Sequence, residues 1–262
     1  MSRRAGEYLA APLRQILSLR ETAHRPWPRP SFPWVMGQSW VDLLFLHWPV
    51  RAEALRPHVP ASLELDERDG TAWVGITPFE LVGFRLVVLP PVPKVSTFPE
   101  VNVRTYVTYG GKPGIWFVSL DAASRLAVAA ARRFYRLPYF HADMAIEPAR
   151  QAFSFRSERV DSRGHAAAFS ARYKPHGDRV EAPAGSLEAF LVERYCLYSI
   201  ADGGKVLRAD IHHPPWRIGP AAVEIAENTM PPPGLELPDD QPLAHYAARQ
   251  DVLIWAPRPA DD

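Results

Sequence analysis

A single cysteine, Cys196, stands among the 262 residues of the chain. It excludes an intrachain disulfide and any multi-cysteine metal centre, and it suits a reducing compartment. Charge of one sign is also lacking. The 30 basic and 29 acidic residues leave a net charge of +1, so no overall field draws nucleic acid or an anionic membrane. Lysine is scarce: Lys94, Lys112, Lys174 and Lys205 are the only candidates for chemistry that needs a primary amine. No apolar run reaches the ~18 residues that would span a bilayer. The opening MSRRAGEYLAAPLRQILSLRE has basic residues but no uninterrupted apolar segment of the signal-peptide kind. A soluble, cytoplasmic protein is the expectation. Phosphate-cradling G-x-G-x-x-G and G-x-x-x-x-G-K-[ST] patterns are missing, and so is the G-x-S-x-G of a nucleophile elbow. The two Gly-Gly-Lys triplets, at 110–112 and 203–205, fall in predicted turns and not at helix N-termini. No cofactor is called for.

Proline, by contrast, is abundant. The 28 prolines are roughly twice the usual ~5% and break the chain into many connections. Residues 7–23 fit a short amphipathic helix, with Tyr8, Leu9, Leu13, Ile16 and Leu17 at near-helical spacing. Pro26, Pro28, Pro30 and Pro33 then enforce an extended linker. Four hairpins are predicted, with turns at 66–70, 110–114, 161–164 and 201–204. Asp121 is placed to cap an Ala-rich helix over 122–136, and Ser186 to cap one over 187–194. A last strand is expected at 249–256. The pattern predicts a mainly β (α+β) fold: an N-terminal extension over 1–33, one domain over 34–258, and a disordered tail at 259–262.

The densest chemistry lies in Phe98–Pro99–Glu100–Val101–Asn102–Val103–Arg104–Thr105–Tyr106–Val107. Side chains alternate across a strand, so Glu100, Asn102, Arg104 and Tyr106 project one way and Val101, Val103, Thr105 and Val107 the other. If the polar face meets water, this is an ordinary half-exposed strand. If it points into a closed barrel, a carboxylate, an amide and a guanidinium are buried together, which marks a binding or catalytic site. Other candidates carry weaker signals. His141 and Asp143 share a face if the segment is a strand, but no third ligand completes a metal site. Glu193–Arg194–Tyr195 sits at a helix-to-strand corner, either as an ionic anchor beside a cavity or as a structural pair. His212–His213–Pro214–Pro215–Trp216 leaves a strand rigidly, as pocket lining or as packing.

These segments, with His24–Arg25–Pro26–Trp27–Pro28 and Asp42–Leu43–Leu44–Phe45–Leu46–His47–Trp48–Pro49–Val50, resemble the uncharacterised YqjF-like family from about His24 to Pro257. A more distant similarity, in segment order, is to acetoacetate decarboxylase. It runs through Val59–Pro60, Leu63–Glu64–Leu65, the strand at 98–107, Leu120–Asp121 and Leu137–Pro138. That similarity implies an antiparallel β-barrel or cone with a few peripheral helices and a polar internal cavity. An acidic residue lines the decarboxylase cavity at the place where Glu100 falls. The decarboxylase has two adjacent lysines after its helix-ending proline; here those positions are Tyr139 and Phe140, and neither can form a Schiff base. Val41 falls near the place of a decarboxylase arginine.

The resulting expectation is a protein whose barrel binds a small anionic or carbonyl-bearing metabolite, without imine chemistry. Asn102, Arg104, Tyr139, Glu193, Arg194 and His212 are its candidate ligand-binding residues. No metal, nucleic acid or membrane partner is expected, and an oligomer is left open. The alternative is a lyase, hydratase or isomerase in which Glu100 is the acid/base. A third reading is a protein-interaction module whose cavity is filled by aromatic side chains.

Overall fold

A computed structural model describes residues 3–261 apart from 88, 93, 94 and 151. Helix α1 (Arg3–Leu17) precedes the extended proline segment and β1 (Met36–Val50). A short α2 (Ala52–Leu55) leads to β2 (Glu64–Leu65), β3 (Ala72–Leu86), β4 (Thr97–Tyr109) and β5 (Lys112–Ala122). Helix α3 (Arg125–Tyr135) is followed by β6 (Tyr139–Ala149), β7 (Ala152–Arg159), β8 (Ala168–Pro175) and β9 (Val180–Glu181). Helix α4 (Leu187–Val192), β10 (Cys196–Ile200), β11 (Val206–His212), β12 (Arg217–Asn228), β13 (Leu243–Ile254) and β14 (Arg258–Pro259) complete the chain.

The pairings close on themselves twice. One ring runs β5–β6–β7–β8–β12–β13–β1–β3–β4 and returns to β5; the other runs β5–β10–β11–β13–β1–β3–β4. Strands β13, β1, β3, β4 and β5 are common to both. All pairings in these rings are antiparallel except those that β5 makes with β6 and β10, which are parallel, so the predicted antiparallel barrel is a mixed sheet. A shared strand has a core on each side. Val101, Val103 and Val107 of β4 pack with side chains of the nine-strand ring, such as Ile146, Phe155 and Phe169. On the other side Tyr106 packs with Phe45, Phe79, Leu191 and Trp216. Trp40 and Tyr139 link this second cluster to the one that holds Leu120, Leu197 and Ile211.

Three of the four predicted hairpins form, as β4–β5, β7–β8 and β10–β11. The first does not. β3 is occupied by β1 and β4, and β2 instead docks on β4 beyond the last β3–β4 pair, at Glu64–Thr108 and Leu65–Val107. Ser124, not Asp121, caps α3, accepting from Ala127 N. Asp121 is drawn away by Arg159: the two side chains, both 0% exposed, form a bidentate ion pair with Nη2–Oδ1 at 2.7 Å. Burial pushes the Asp121 carboxyl up and the guanidinium pulls it back down. The tail expected to be disordered from 259 onward lies along β11, with Arg258 and Pro259 paired to Arg208 and Leu207 and Ala260 N donating to Val206 O at 3.0 Å. Residue 262 falls outside the described chain.

Strand β1 is bulged against β3 between Val41 and Leu46, and Asp42 takes φ 51° there. Tyr246 Oη donates to Asp42 Oδ1 and Tyr173 Oη to Asp42 O, each at 2.7 Å, which fixes a conformation unfavourable for a residue other than glycine. Removing one partner of a buried ion pair leaves a bare charge, at a cost of roughly 3–5 kcal/mol. Arg159→Met is therefore expected to lower unfolding free energy by about that much in urea titrations, and Asp121→Asn/Arg159→Met by distinctly less. A loss of under ~1 kcal/mol in the single variant would contradict the structural weight given to this pair.

Candidate functional site

The polar face of β4 is buried. Glu100, Asn102, Arg104 and Tyr106 are 4%, 5%, 6% and 1% exposed, and they lie on the side of the seven-strand ring. Register sets their neighbours. Glu100 stands between Phe79 of β3 and Ala122 of β5, Asn102 between Thr77 and Leu120, and Arg104 between Gly75 and Phe117. His47 of β1 lies on the far side of Gly75. Gly75 eases this close approach: a Cβ there would come within 3.2 Å of both Arg104 Cγ and His47 Cδ2, and one of those side chains would have to give way.

At one end, Tyr139 Oη donates to Glu100 Oε1 at 3.0 Å. Burial pushes the Glu100 carboxyl up to about 8; the Tyr139 hydrogen bond opposes that shift and the charge of Asp121 adds to it. Arg104 is not among the charges acting on it, in keeping with the ~13 Å that separates strand positions i and i+4. Tyr139 is itself raised by burial and by its carboxyl partner.

At the other end, Tyr106 Oη donates to Leu191 O of α4 at 2.8 Å and lies 2.8 Å from His47 Nε2. A hydroxyl has one proton, so His47 Nε2 supplies the second bond and His47 Nδ1 is left with its lone pair. Burial, then Arg104, holds His47 well below the usual imidazole range, so this neutral tautomer persists. Arg104 Nη2 reaches Leu191 O at 3.5 Å, and its guanidinium lies 5.1 Å from the Phe45 ring centroid. No carboxylate pairs with Arg104 among the described residues.

Several buried polar atoms on these strands have no hydrogen-bond partner within the protein: Thr77 Oγ1, Asn102 Oδ1, Arg104 Nε, His47 Nδ1 and, on the facing segment, Trp216 Nε1. Each such orphan atom costs ~1–3 kcal/mol unless water or a bound polar molecule meets it. Two surface clefts lie elsewhere. One, of about 290 Å³, is lined by Arg125, His141, Asp161 and Arg163; the other, of about 440 Å³, by Glu147, Arg156, Arg172 and Glu224. Both are open to solvent, and Asp161 in the first is already bound by Arg163. The ring interior has the stronger chemistry.

The remaining candidates are spent on internal partners. Glu193 receives the Tyr195 hydroxyl on Oε2 and Trp216 N on Oε1, the latter at 2.8 Å, and burial raises its pKa. Arg194 pairs with Asp66 and donates to Phe190 O, with its guanidinium 4.7 Å from the Tyr106 ring, so it backs the interior without entering the orphan cluster. His212 donates from Nε2 to Ser18 O at 2.8 Å, beneath the N-terminal segment that Arg25 also ties to Ile211 O. His141 and Asp143 gain no third ligand: no cluster of three metal-binding side chains occurs among the described residues. Sequence reasoning missed His47 and Thr77. The alternation through β1 and β3 was the available signal, but their register to Arg104 and Asn102 is a tertiary fact.

Residues 37–251 match the profile of DUF2071, described as an uncharacterized conserved protein. The chain belongs to the DUF2071 family. Its relative YqjF of Bacillus subtilis (strain 168), described as an uncharacterized protein, is 48% identical over 227 residues, 86% of this chain and 93% of that protein. This DUF2071 chain also shares its fold with more distant solved structures. Acetoacetate decarboxylase from Legionella pneumophila matches with a TM-score of 0.58 at 13% identity, covering 91% of this chain and 93% of that one. The enduracididine biosynthesis enzyme MppR, complexed with pyruvate, matches at 0.59 and 12%, covering 90% and 93%. An acetoacetate decarboxylase-like enzyme from Sphingomonas wittichii RW1 matches at 0.60 and 12%, covering 91% and 98%. At such identities the likeness is one of fold.

The raised Glu100 carboxyl has a thermodynamic signature. The native state holds this proton to about pH 8, whereas an unfolded glutamate releases it near 4.5. The protonated form therefore stabilises the fold fully below pH ~4.5, and that contribution is lost as pH rises to about 8, at up to ~1.4 kcal/mol per pH unit. Relative to Glu100→Gln, wild-type stability in urea should fall between pH 5.5 and 8. Parallel pH profiles for the two proteins would mean that the carboxyl titrates normally.

Proposed function

We propose that the seven-strand ring binds a small anionic, carbonyl-bearing metabolite, with Arg104 as the anchor for its negative charge. The observation that carries this reading is the Arg104 guanidinium, 6% exposed, without a carboxylate partner among the described residues and with Nε unpartnered. An unpaired buried charge costs several kcal/mol, and a ligand carboxylate offsets that cost with charge-assisted hydrogen bonds. Asn102 and Thr77 would supply neutral hydrogen-bonding positions between the poles. A neutral Glu100, held by Tyr139, would donate to the carbonyl oxygen. Pyruvate bound to MppR makes small oxo acids the natural first probes.

Imine formation has no place in this scheme, because Tyr139 and Phe140 offer a phenol and a phenyl ring where an amine is needed. A second reading is supported by Glu100 itself. A carboxyl brought to about 8 is poised to give and take a proton near neutrality, which suits a lyase, hydratase or isomerase. Positioned acid/base groups contribute roughly 10²–10⁴-fold, enough for substrates with an activated C–H or C–O bond.

Calorimetry and thermal shift with pyruvate, acetoacetate and a panel of small oxo, hydroxy and dicarboxylic acids test both readings. Saturable binding of at least one acid is expected, weakened roughly 10–100-fold in Arg104→Met, the loss of one charged hydrogen-bonding group. Glu100→Gln should keep affinity within a few-fold while abolishing any turnover. Equal binding by Arg104→Met and wild type, or no binding across the panel, would sink the anion-site reading.

A further inference from the structure

Helix α1 is turned with its apolar side outward. Its inner face carries Ala11 and Gln15, and Ser18 follows in the turn just beyond it, all three buried. Gln15 Nε2 donates to Ser39 Oγ and Gly83 O, each at 3.2 Å, and Gln15 Oε1 accepts from Arg85 Nε at 2.9 Å. Gly83 lets the helix sit close: a Cβ there would be 2.5 Å from Ala11 Cβ. These contacts fix the helix's rotation. Leu9, Leu13, Ile16 and Leu17 therefore face solvent, 39–65% exposed.

The β3–β4 connection extends the same surface. Tyr8 Oη donates to Pro91 O at 2.6 Å, which fastens the helix to that connection. There, Leu86, Val87, Leu89, Val92 and Val95 are 40–52% exposed. A fully exposed aliphatic side chain offers roughly 60–120 Å², so the nine together leave on the order of 400 Å² of apolar surface. A standard interface takes ~800 Å² from each partner, ~56–65% of it apolar. This one face supplies most of the apolar share that one side of a stable dimer needs.

We propose that a second copy of this chain covers the face, across a two-fold axis. An isologous contact must be complementary to itself, and aliphatic side chains meet that condition. Arg20 and Glu21, exposed in the turn that follows α1, are of opposite sign and can cross-pair at the rim. A membrane surface suits the patch less well. Interfacial helices favour Trp or Phe anchors, and anionic lipid is gripped by clusters of 4–8 basic residues. None of the nine exposed side chains is aromatic, and the four arginines of residues 3–21, the bare minimum of such a cluster, have half their charge offset by two glutamates. The covered connection runs directly into Thr97–Glu100, so the partner would brace the strand that positions Glu100.

Light scattering coupled to size exclusion, on the full chain over a micromolar dilution series, decides the matter. The expected mass is twice 29.4 kDa, falling to 29.4 kDa in Leu13→Glu and separately in Leu89→Asp with unchanged circular dichroism. Leu89→Asp, outside the helix, keeps the test open if the helix variant fails to fold. A monomeric wild type at every concentration overturns the proposal, and so does a dimer that persists in both variants. A monomer that co-pellets with phosphatidylcholine/phosphatidylglycerol vesicles also overturns it and assigns the face to lipid.

Discussion

Strand β4 has no solvent side, and most of the structure follows from that constraint. Two rings of strands share it, so each of its faces must satisfy a separate core. The valine face needs only to be apolar and β-branched. The other face carries Glu100, Asn102 and Arg104, and every polar atom on it must find a partner in a space that water scarcely reaches. Glu100 meets the demand by taking a proton and a tyrosine hydroxyl. Arg104 meets it only in part, with a long bond to Leu191 O and two aromatic faces. Within one strand, then, a carboxyl pushed up by burial stands two positions from an amide and four from a guanidinium that has no carboxylate partner among the described residues.

The outer shell keeps this interior closed by ordinary means. Helix α4 brings the Leu191 carbonyl over Tyr106 and Arg104, and Arg194 clamps the end of the helix to Asp66. The Glu193–Tyr195–Trp216 knot sets the corner from which β12 departs. Histidines in this shell are held as neutral structural donors and acceptors: burial lowers His212 and His213 to about 4. Buried polar residues thus divide by whether their partners are complete. The corner has complete partners, and the β4 face does not.

Much of this was legible in the residues. The alternation from 98 to 107 located the polar face, turn chemistry located three hairpins, and segment order gave the decarboxylase-like architecture. What alternation could not supply was the second core: a strand buried on both sides reads like a half-exposed one when one of its faces is polar. The cap of α3 was misread because Asp121 is a good capping residue by type, and only the fold brings Arg159 to it. For α1 the apolar stripe was visible, but its direction was not. Gln15 and Gly83, separated by 68 residues, decide which side of the helix faces in. His47 stands beside Arg104 across Gly75, two strands away, a relation that no local pattern encodes.

The sharing of strands also has a consequence for how the chain is made. Both rings pass through β13, residues 243–254, which pairs with β1 at the start of the barrel and with β11 and β12 near its end. Neither circuit can be completed while that segment is still unsynthesised, although β1 will long since have emerged from the ribosome. Through most of translation β1 therefore presents an open edge, and the β3–β4–β5 meander must stand without its final neighbour. Closure is a late, long-range event of the sort that slows folding and leaves nascent edges exposed to aggregation. The polar interior is assembled last, by the penultimate strand.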